Sequence, residues 1–168
     1  MDYPIRPLSP EDKPIVWEML RYAAHESSWE ALQHPLIARY ATDWGRPGDL
    51  GYGAWHAATP IGAAWLRLWP EADKGFGYVS DDIPELAIGV APDYRGQGVG
   101  TRLLTPLLAA AKEQFSAVSL SVRGDNPAVH LYSRVGFVPV SDSKSLNRTG
   151  SESFNMIFAC RLEHQAVW

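Results

Sequence analysis

The chain contains a single cysteine, Cys160, among 168 residues. One thiol cannot form an intramolecular disulfide, and its place in the apolar run Met156–Cys160 suits a small buried side chain better than a nucleophile. Long apolar runs are absent too. None approaches the ~20 residues that a membrane-spanning helix needs, and Met1–Pro7 has no apolar signal core. These absences lead us to expect a cytoplasmic protein with no membrane partner. Basic charge is scarce: 15 Lys and Arg face 19 Asp and Glu, a net charge of −4, and no basic cluster argues for nucleic acid. No repeat, low-complexity tract or linker divides the chain, so one domain over residues 1–168 is expected. What remains, 46 % hydrophobic and 20 % charged, is the composition of an ordinary globular protein.

Taken in order, the pattern predicts an edge strand over Tyr3–Arg6, then a helix capped by Ser9 with Pro10 first. Ile15, Val16, Met19, Leu20 and Ala23 give that helix an apolar face to about His25. A second helical segment, around Glu30–Trp44, meets a breaker at Pro35. Gly51–Ala58 and Ile61–Trp69 form a hairpin that reverses at Thr59–Pro60. Pro70–Asp82 is polar and unpatterned, and long loops of this kind often carry function. Further strands are expected at Leu86–Val90, Ala117–Val122, Phe137–Val140 and Asn155–Leu162, with helices from Thr101 and over Asn126–Val135.

Chemistry concentrates between the strand at Leu86–Val90 and the helix from Thr101. Pro92 stops the strand because it has no N–H for a ladder. Arg95-Gly-Gln-Gly-Val-Gly100 follows, and its three glycines remove the Cβ atoms that would keep a ligand from the main chain. The unpaired N–H groups of the helix's first turn, with the helix dipole, make such a turn an anion site suited to phosphate or pyrophosphate. A P-loop is excluded because Thr101-Arg102 stands where Lys-Ser/Thr is required. A dinucleotide fingerprint is excluded because its third glycine position is Thr101. A glycine turn that merely joins strand to helix stays open at this point.

Val90-x-Pro92 followed by Arg95-x-x-Gly98-x-Gly100 resembles the acetyl-coenzyme A pyrophosphate loop of the GNAT superfamily of N-acetyltransferases. A second stretch, Asn126-Pro-Ala-Val-His-Leu-Tyr132-Ser-Arg-Val-Gly136-Phe137, strengthens the resemblance. By itself it is a helix capped by Asn126, begun by Pro127 and stopped by a left-handed Gly136. At this distance from the glycine loop it is also what GNAT enzymes show, and the two stretches together cover Glu85–Val138. The resemblance implies an α/β (α+β) GNAT fold. Its mixed central sheet would have six to seven strands, splayed between the motif strand and the next, flanked by about four helices.

The resemblance further implies acetyl-CoA as cosubstrate, a primary-amine acceptor of unnamed identity and no metal. The pantetheine arm would pair with the main chain of Ile88, Gly89 and Val90 and meet Asn126. The pyrophosphate would lie on the N–H groups of Gly96, Gln97, Gly98, Val99, Gly100 and Thr101. Arg95 would hold the loop or the phosphates, or else merely solubilise the surface. A main-chain N–H near Val90 would stabilise charge on the thioester carbonyl oxygen. Only a neutral amine attacks, so a base or water path is needed, with a proton source for the departing thiolate. Tyr132 matches the family's general acid. Glu85 stands near the family's base, although register matters there and plain solvation of a strand end competes. Asp81 and Asp82 are reserves, and Ser121 occupies another position where relatives carry a glutamate. For the acceptor the resemblance points to Trp29, His34, Tyr40, Trp44 and the loop Pro70–Asp82. A non-catalytic CoA-binding or sensing module with the same fold is the alternative. Exposed edge strands and Trp168 leave a homodimer open.

Overall fold

Small and apolar side chains dominate residues 59–67 and 117–123 up to a final arginine in each, and both stretches form largely buried strands, as such runs do when covered on both faces. The computed structural model describes residues 3–24, 28–146 and 152–160. The strands are β1 (Ile5–Pro7), β2 (Leu50–His56), β3 (Thr59–Arg67), β4 (Glu85–Val90), β5 (Ala117–Arg123), β6 (Val138–Pro139), β7 (Ser145–Leu146) and β8 (Glu152–Ala159). The helices are α1 (Lys13–Ala23), α2 (Trp29–Leu32), α3 (Pro35–Ala38), α4 (Val99–Ala111) and α5 (Ala128–Val135). Strand order is β1-β2-β3-β4-β5-β8-β6, and β7 pairs with β8 off that path. Seven strands thus follow one mixed path, at the upper end of the expected six to seven. The fifth helix arises because α2 and α3 are separate single turns.

The chain packs as two units, residues 1–67 with 87–107 and residues 68–86 with 108–168, so that β4 and α4 each contribute to both. In the first unit β1, β2 and β3 form an antiparallel meander. Val16, Met19 and Leu20 of α1 and Val99, Leu103, Leu104 and Leu107 of α4 join Ile61 and Ala63–Leu66 of β3 in the core. β4 passes so close to α1 that a Cβ on Gly89 would overlap the Met19 carbonyl oxygen, which only glycine avoids. In the second unit β5 pairs along its whole length with antiparallel β8, and β4 joins β5 in parallel at Glu85↔Ser119. Leu120, Val122, Phe137 and Met156 are buried there.

Several local expectations shift. The hairpin reverses at Ala57–Ala58 rather than Thr59–Pro60, because Ala57 takes the left-handed φ of 55° that a tight two-residue turn requires. Pro10–Asp12 is a single 3-10 turn ahead of α1, whose start is pinned by Ser9 N–H donating to the Asp12 carboxylate at 2.7 Å. Two N–H groups of Arg6 bind that carboxylate at 2.9 and 3.1 Å and hold Asp12 below the usual carboxylate range. Pro35 does interrupt the second helical segment. It opens α3, with His34 Nδ1 accepting from Leu36 N–H. The final strand begins at Glu152, earlier than Asn155. His25, Leu162 and Trp168 lie outside the described residues.

One buried ion pair anchors the first unit. Arg67 grips Asp49 in a two-pronged contact at 3.0 and 2.7 Å, with side chains 1 % and 3 % exposed. It also donates to the carbonyls of Arg39 and Thr42, while Asp49 accepts from the N–H groups of Gly45 and Arg46. Removing one charge from such a pair strands the other, so Asp49→Asn should lower stability by about 3 kcal/mol. That loss should appear as a lower urea midpoint at unchanged slope; an unmoved midpoint would show that the pair is not an anchor.

Candidate active site

The glycine loop grows out of the end of β4. A 3-10 turn at Pro92–Tyr94 leads into it, with Tyr94 N–H and Arg95 N–H donating to the carbonyls of Ala91 and Pro92. Gly96 and Gly98 take left-handed φ values of 75° and 81°, which side chains with a Cβ rarely adopt. A Cβ at either position would meet nothing within 4 Å, so backbone conformation, not crowding, demands glycine here. Helix α4 starts at Val99, two residues earlier than expected, and the first helical bond is Arg102 N–H to the Gly98 carbonyl at 3.1 Å. Among the described residues the N–H groups of Gly96, Gln97, Gly98, Val99, Gly100 and Thr101 have no protein acceptor. They sit at the positive end of a 13-residue helix, in a loop exposed from Arg95 to Gly98. Arg95 is a staple: its Nε–H donates to the Val90 carbonyl at 3.0 Å and ties the loop to β4. Ile88 and Val90 are half-buried around buried Gly89, whose lack of a side chain is explained by α1.

Glu85, the first residue of β4, is 4 % exposed, so it is not a solvated strand end. Trp69 Nε1–H donates to its Oε1 at 2.9 Å. The unpatterned loop arches over it. A Cβ on Gly75 would overlap both Glu85 Oε1 and Trp69 Nε1, and one on Gly77 would lie 2.7 Å from the Leu120 carbonyl carbon and 2.9 Å from Glu85 Cδ. Ser119, opposite Glu85 on β5, donates its hydroxyl to the Gly77 carbonyl at 2.6 Å and closes the arch. Sequence reasoning left the loop unpatterned, without a purpose for Gly75 and Gly77, and it placed Trp69 in a strand. The signal was two glycines spaced by one residue in an otherwise featureless loop. The reserves differ from Glu85: Asp81 and Asp82 are exposed and held locally by the hydroxyls of Tyr78 and Ser80. Asp81 in turn pushes the Tyr78 phenol up to about 12.

The second motif builds α5 as its residues dictate. Asn126 Oδ1 accepts from Ala128 N–H at 2.9 Å, capping the first turn behind Pro127. At the far end Gly136, φ 117°, and Phe137 donate to the carbonyls of Ser133 and Tyr132, a Schellman stop. That stop fixes Tyr132 by its own main chain, and the Phe137 ring packs edge-on against it at 5.9 Å between centroids. Tyr132 is 7 % exposed, and its hydroxyl has no hydrogen-bond partner among the described residues. Burial pushes its phenol well above the usual tyrosine range, so it holds its proton. Thus Glu85, Asn126 and Tyr132 belong to one unit, while the glycine loop and Ile88–Val90 belong to the other.

The expected aromatic acceptor site does not assemble as a set. Tyr40 and Trp44 are core residues: the Tyr40 carbonyl accepts from Trp65 Nε1–H, and Trp44 Nε1–H donates to the Ser9 carbonyl. His34 serves as a helix cap. Trp29 and His34 are the exposed members of the set; Trp29 is 51 % exposed, with the Arg21 guanidinium 5.3 Å from its ring centre.

Comparison with known proteins follows the same lines. The chain is similar to a mycothiol acetyltransferase of Propionibacterium freudenreichii, 35 % identical over 105 residues that cover 61 % of this chain and 32 % of that protein. It is also similar to an N-alpha-acetyltransferase of Sulfurisphaera tokodaii, 36 % identical over 99 residues that cover 53 % of this chain and 59 % of the other. This chain therefore spans only part of the length of the curated relatives it matches. In fold it resembles the yncA protein of Salmonella typhimurium, solved with its cofactor acetyl-CoA. The TM-score is 0.72 at 17 % identity, covering 97 % of this chain and 96 % of that one. Residues 13–137 match the Acetyltransferase (GNAT) family, taking in both the glycine loop and the tyrosine-bearing helix, and the chain belongs to that family.

Proposed function

We propose that this protein is an acetyl-CoA-dependent N-acetyltransferase that acetylates a primary amine. The observation that carries the reading is the run of N–H groups from Gly96 to Thr101 at the start of α4, without an acceptor among the described residues. A phosphate or pyrophosphate satisfies such a run. In this reading the main chain of Gly96, Gln97, Gly98, Val99, Gly100 and Thr101 holds the pyrophosphate. Arg95 keeps that loop on β4, while Ile88, Gly89, Val90 and Asn126 meet the pantetheine arm. Bound acetyl-CoA supplies the activated acetyl thioester, and no metal is invoked.

The protein's own groups move two protons. Glu85, held by the Trp69 indole under the glycine arch, takes the proton of the amine through water, since an amine attacks only when neutral. Tyr132, kept protonated by burial, gives its proton to the departing thiolate. Residues 1–168 form a single domain in this reading. Among the described residues no helix is long and apolar enough to cross a membrane, and the lone thiol suits the cytoplasm. The two relatives carry different acceptors in their names, so the acceptor is proposed as a primary amine without further choice.

Calorimetric titration with acetyl-CoA, CoA and ATP in parallel tests the loop. Acetyl-CoA should bind, and Gly98→Glu should abolish binding by placing a carboxylate on a strained φ. Binding of ATP alone would overturn the loop assignment, and CoA binding without turnover on an amine panel would favour the sensing module. Tyr132→Phe should lower kcat about 100-fold with acetyl-CoA binding retained. Because the buried phenol stays protonated across the usual assay range, that loss should be equal at neutral and alkaline pH. Unchanged turnover would remove Tyr132 from the mechanism. Glu85→Gln should depress kcat/KM most at low pH, where the amine most needs a base, and a loss independent of pH would leave Glu85 a structural role only.

A further inference from the structure

The residue between the two left-handed glycines, Gln97, is anchored to the protein at both ends of its amide. Its Nε2 donates to the Asp93 carbonyl at 3.1 Å, and its Oε1 accepts from the Tyr3 hydroxyl at 2.9 Å, across 94 positions of sequence. Tyr3 is buried although the loop it holds is exposed. Its ring packs edge-on against Tyr94 with centroids 5.4 Å apart, and tilted against His56 at the same separation. His56 and Tyr94 close the triangle, with rings 5.6 Å apart and His56 Nδ1 2.7 Å from the Tyr94 hydroxyl. Tyr3 comes from the approach to β1, His56 from the last position of β2 and Tyr94 from the turn before the glycine loop. Three parts of the first unit therefore meet behind the crest of the loop, and one hydrogen bond passes their support to Gln97.

Such support has a thermodynamic consequence. Gly96 and Gly98 give the loop the largest backbone freedom available to a chain, and ordering it on binding would oppose affinity. A loop already ordered by its own side chain avoids that loss. We propose that Tyr3, acting through Gln97, is a positioning residue for the pyrophosphate of a CoA ligand: it holds the N–H groups of residues 96–101 in their binding arrangement before the ligand arrives. This rests on the reading of the loop as a CoA pyrophosphate site. It assigns no chemical step to Tyr3, which touches neither proton that moves.

Tyr3→Phe removes only the hydroxyl and keeps the ring cluster, so the fold is not at stake. Titration with CoA should show Kd raised about three- to tenfold, the worth of one hydrogen bond. Steady-state kinetics should show KM for acetyl-CoA raised by a similar factor at unchanged kcat, and the ligand-free melting temperature should stay close to that of the parent. Gln97→Ala should weaken CoA binding as well, and adding Tyr3→Phe to it should cost nothing further, because both remove the same contact. Parent-like CoA affinity in Tyr3→Phe, or additive losses in the double variant, would overturn the proposal. Gly98→Glu separates the two ideas. If it still binds CoA the loop assignment itself fails; if it loses binding while Tyr3→Phe behaves as parent, only the positioning role fails.

Discussion

The Met19 carbonyl oxygen of α1 occupies the place where a Cβ of residue 89 would have to go. That contact lets β4 lie directly on α1, backbone against backbone, and much of the first unit follows from it. Gly62 on β3 makes the same allowance from the other direction, since its Cβ would press on the Gly89 carbonyl and on Val99 and Leu103 of α4. With β4 held between a helix and its neighbour strand, its exit at Val90 is fixed, and Arg95 fastens the glycine loop to that exit. The loop's N–H groups are therefore aimed by core packing, although the loop itself is exposed.

Two acidic side chains show how differently burial can be used. Asp49 accepts four hydrogen bonds, two of them from Arg67, and is a structural knot between β3 and the segment before β2. Glu85 is covered by an arch of the chain that exists only because residues 75 and 77 lack side chains, and an indole N–H meets its carboxylate. Tyr132 resembles Glu85 in being withdrawn from water, and burial keeps its phenol protonated. Groups of this kind, in a family that transfers acetyl groups, give the proposed mechanism its two proton carriers.

The relatives divide over the acceptor in a way the structure makes understandable. The residues proposed for catalysis and cofactor binding lie within residues 85–137, inside the stretch that matches the family. The residues expected to choose the acceptor lie in the short helices and the long loop before β4. There Tyr40 and Trp44 have gone into the core, leaving Trp29 exposed beside Arg21. The mycothiol enzyme is covered over 32 % of its length, so what the rest of that protein contributes to its acceptor has no counterpart in the match.

Features that depend on a few neighbouring residues could be read directly from the sequence. The Asn126 cap, the left-handed Gly136 stop, the glycine loop at 96–100 and the strand–loop–helix order all follow from local sterics and unpaired N–H groups, whereas the left-handed φ of Gly96 and Gly98 appears only in the structure. Ala57 escaped because it adopts a turn conformation that its residue type does not announce. The rest depends on surfaces meeting across the chain: Trp69 on Glu85 beneath the Gly75–Gly77 arch, Arg67 on Asp49, Tyr3 on Gln97. No periodicity encodes such pairs, because which side chains meet is decided by the packing of whole strands and helices. Local preference determined what kind of site this chain carries; tertiary packing decided which groups hold it in place and which carboxylate is shielded from water.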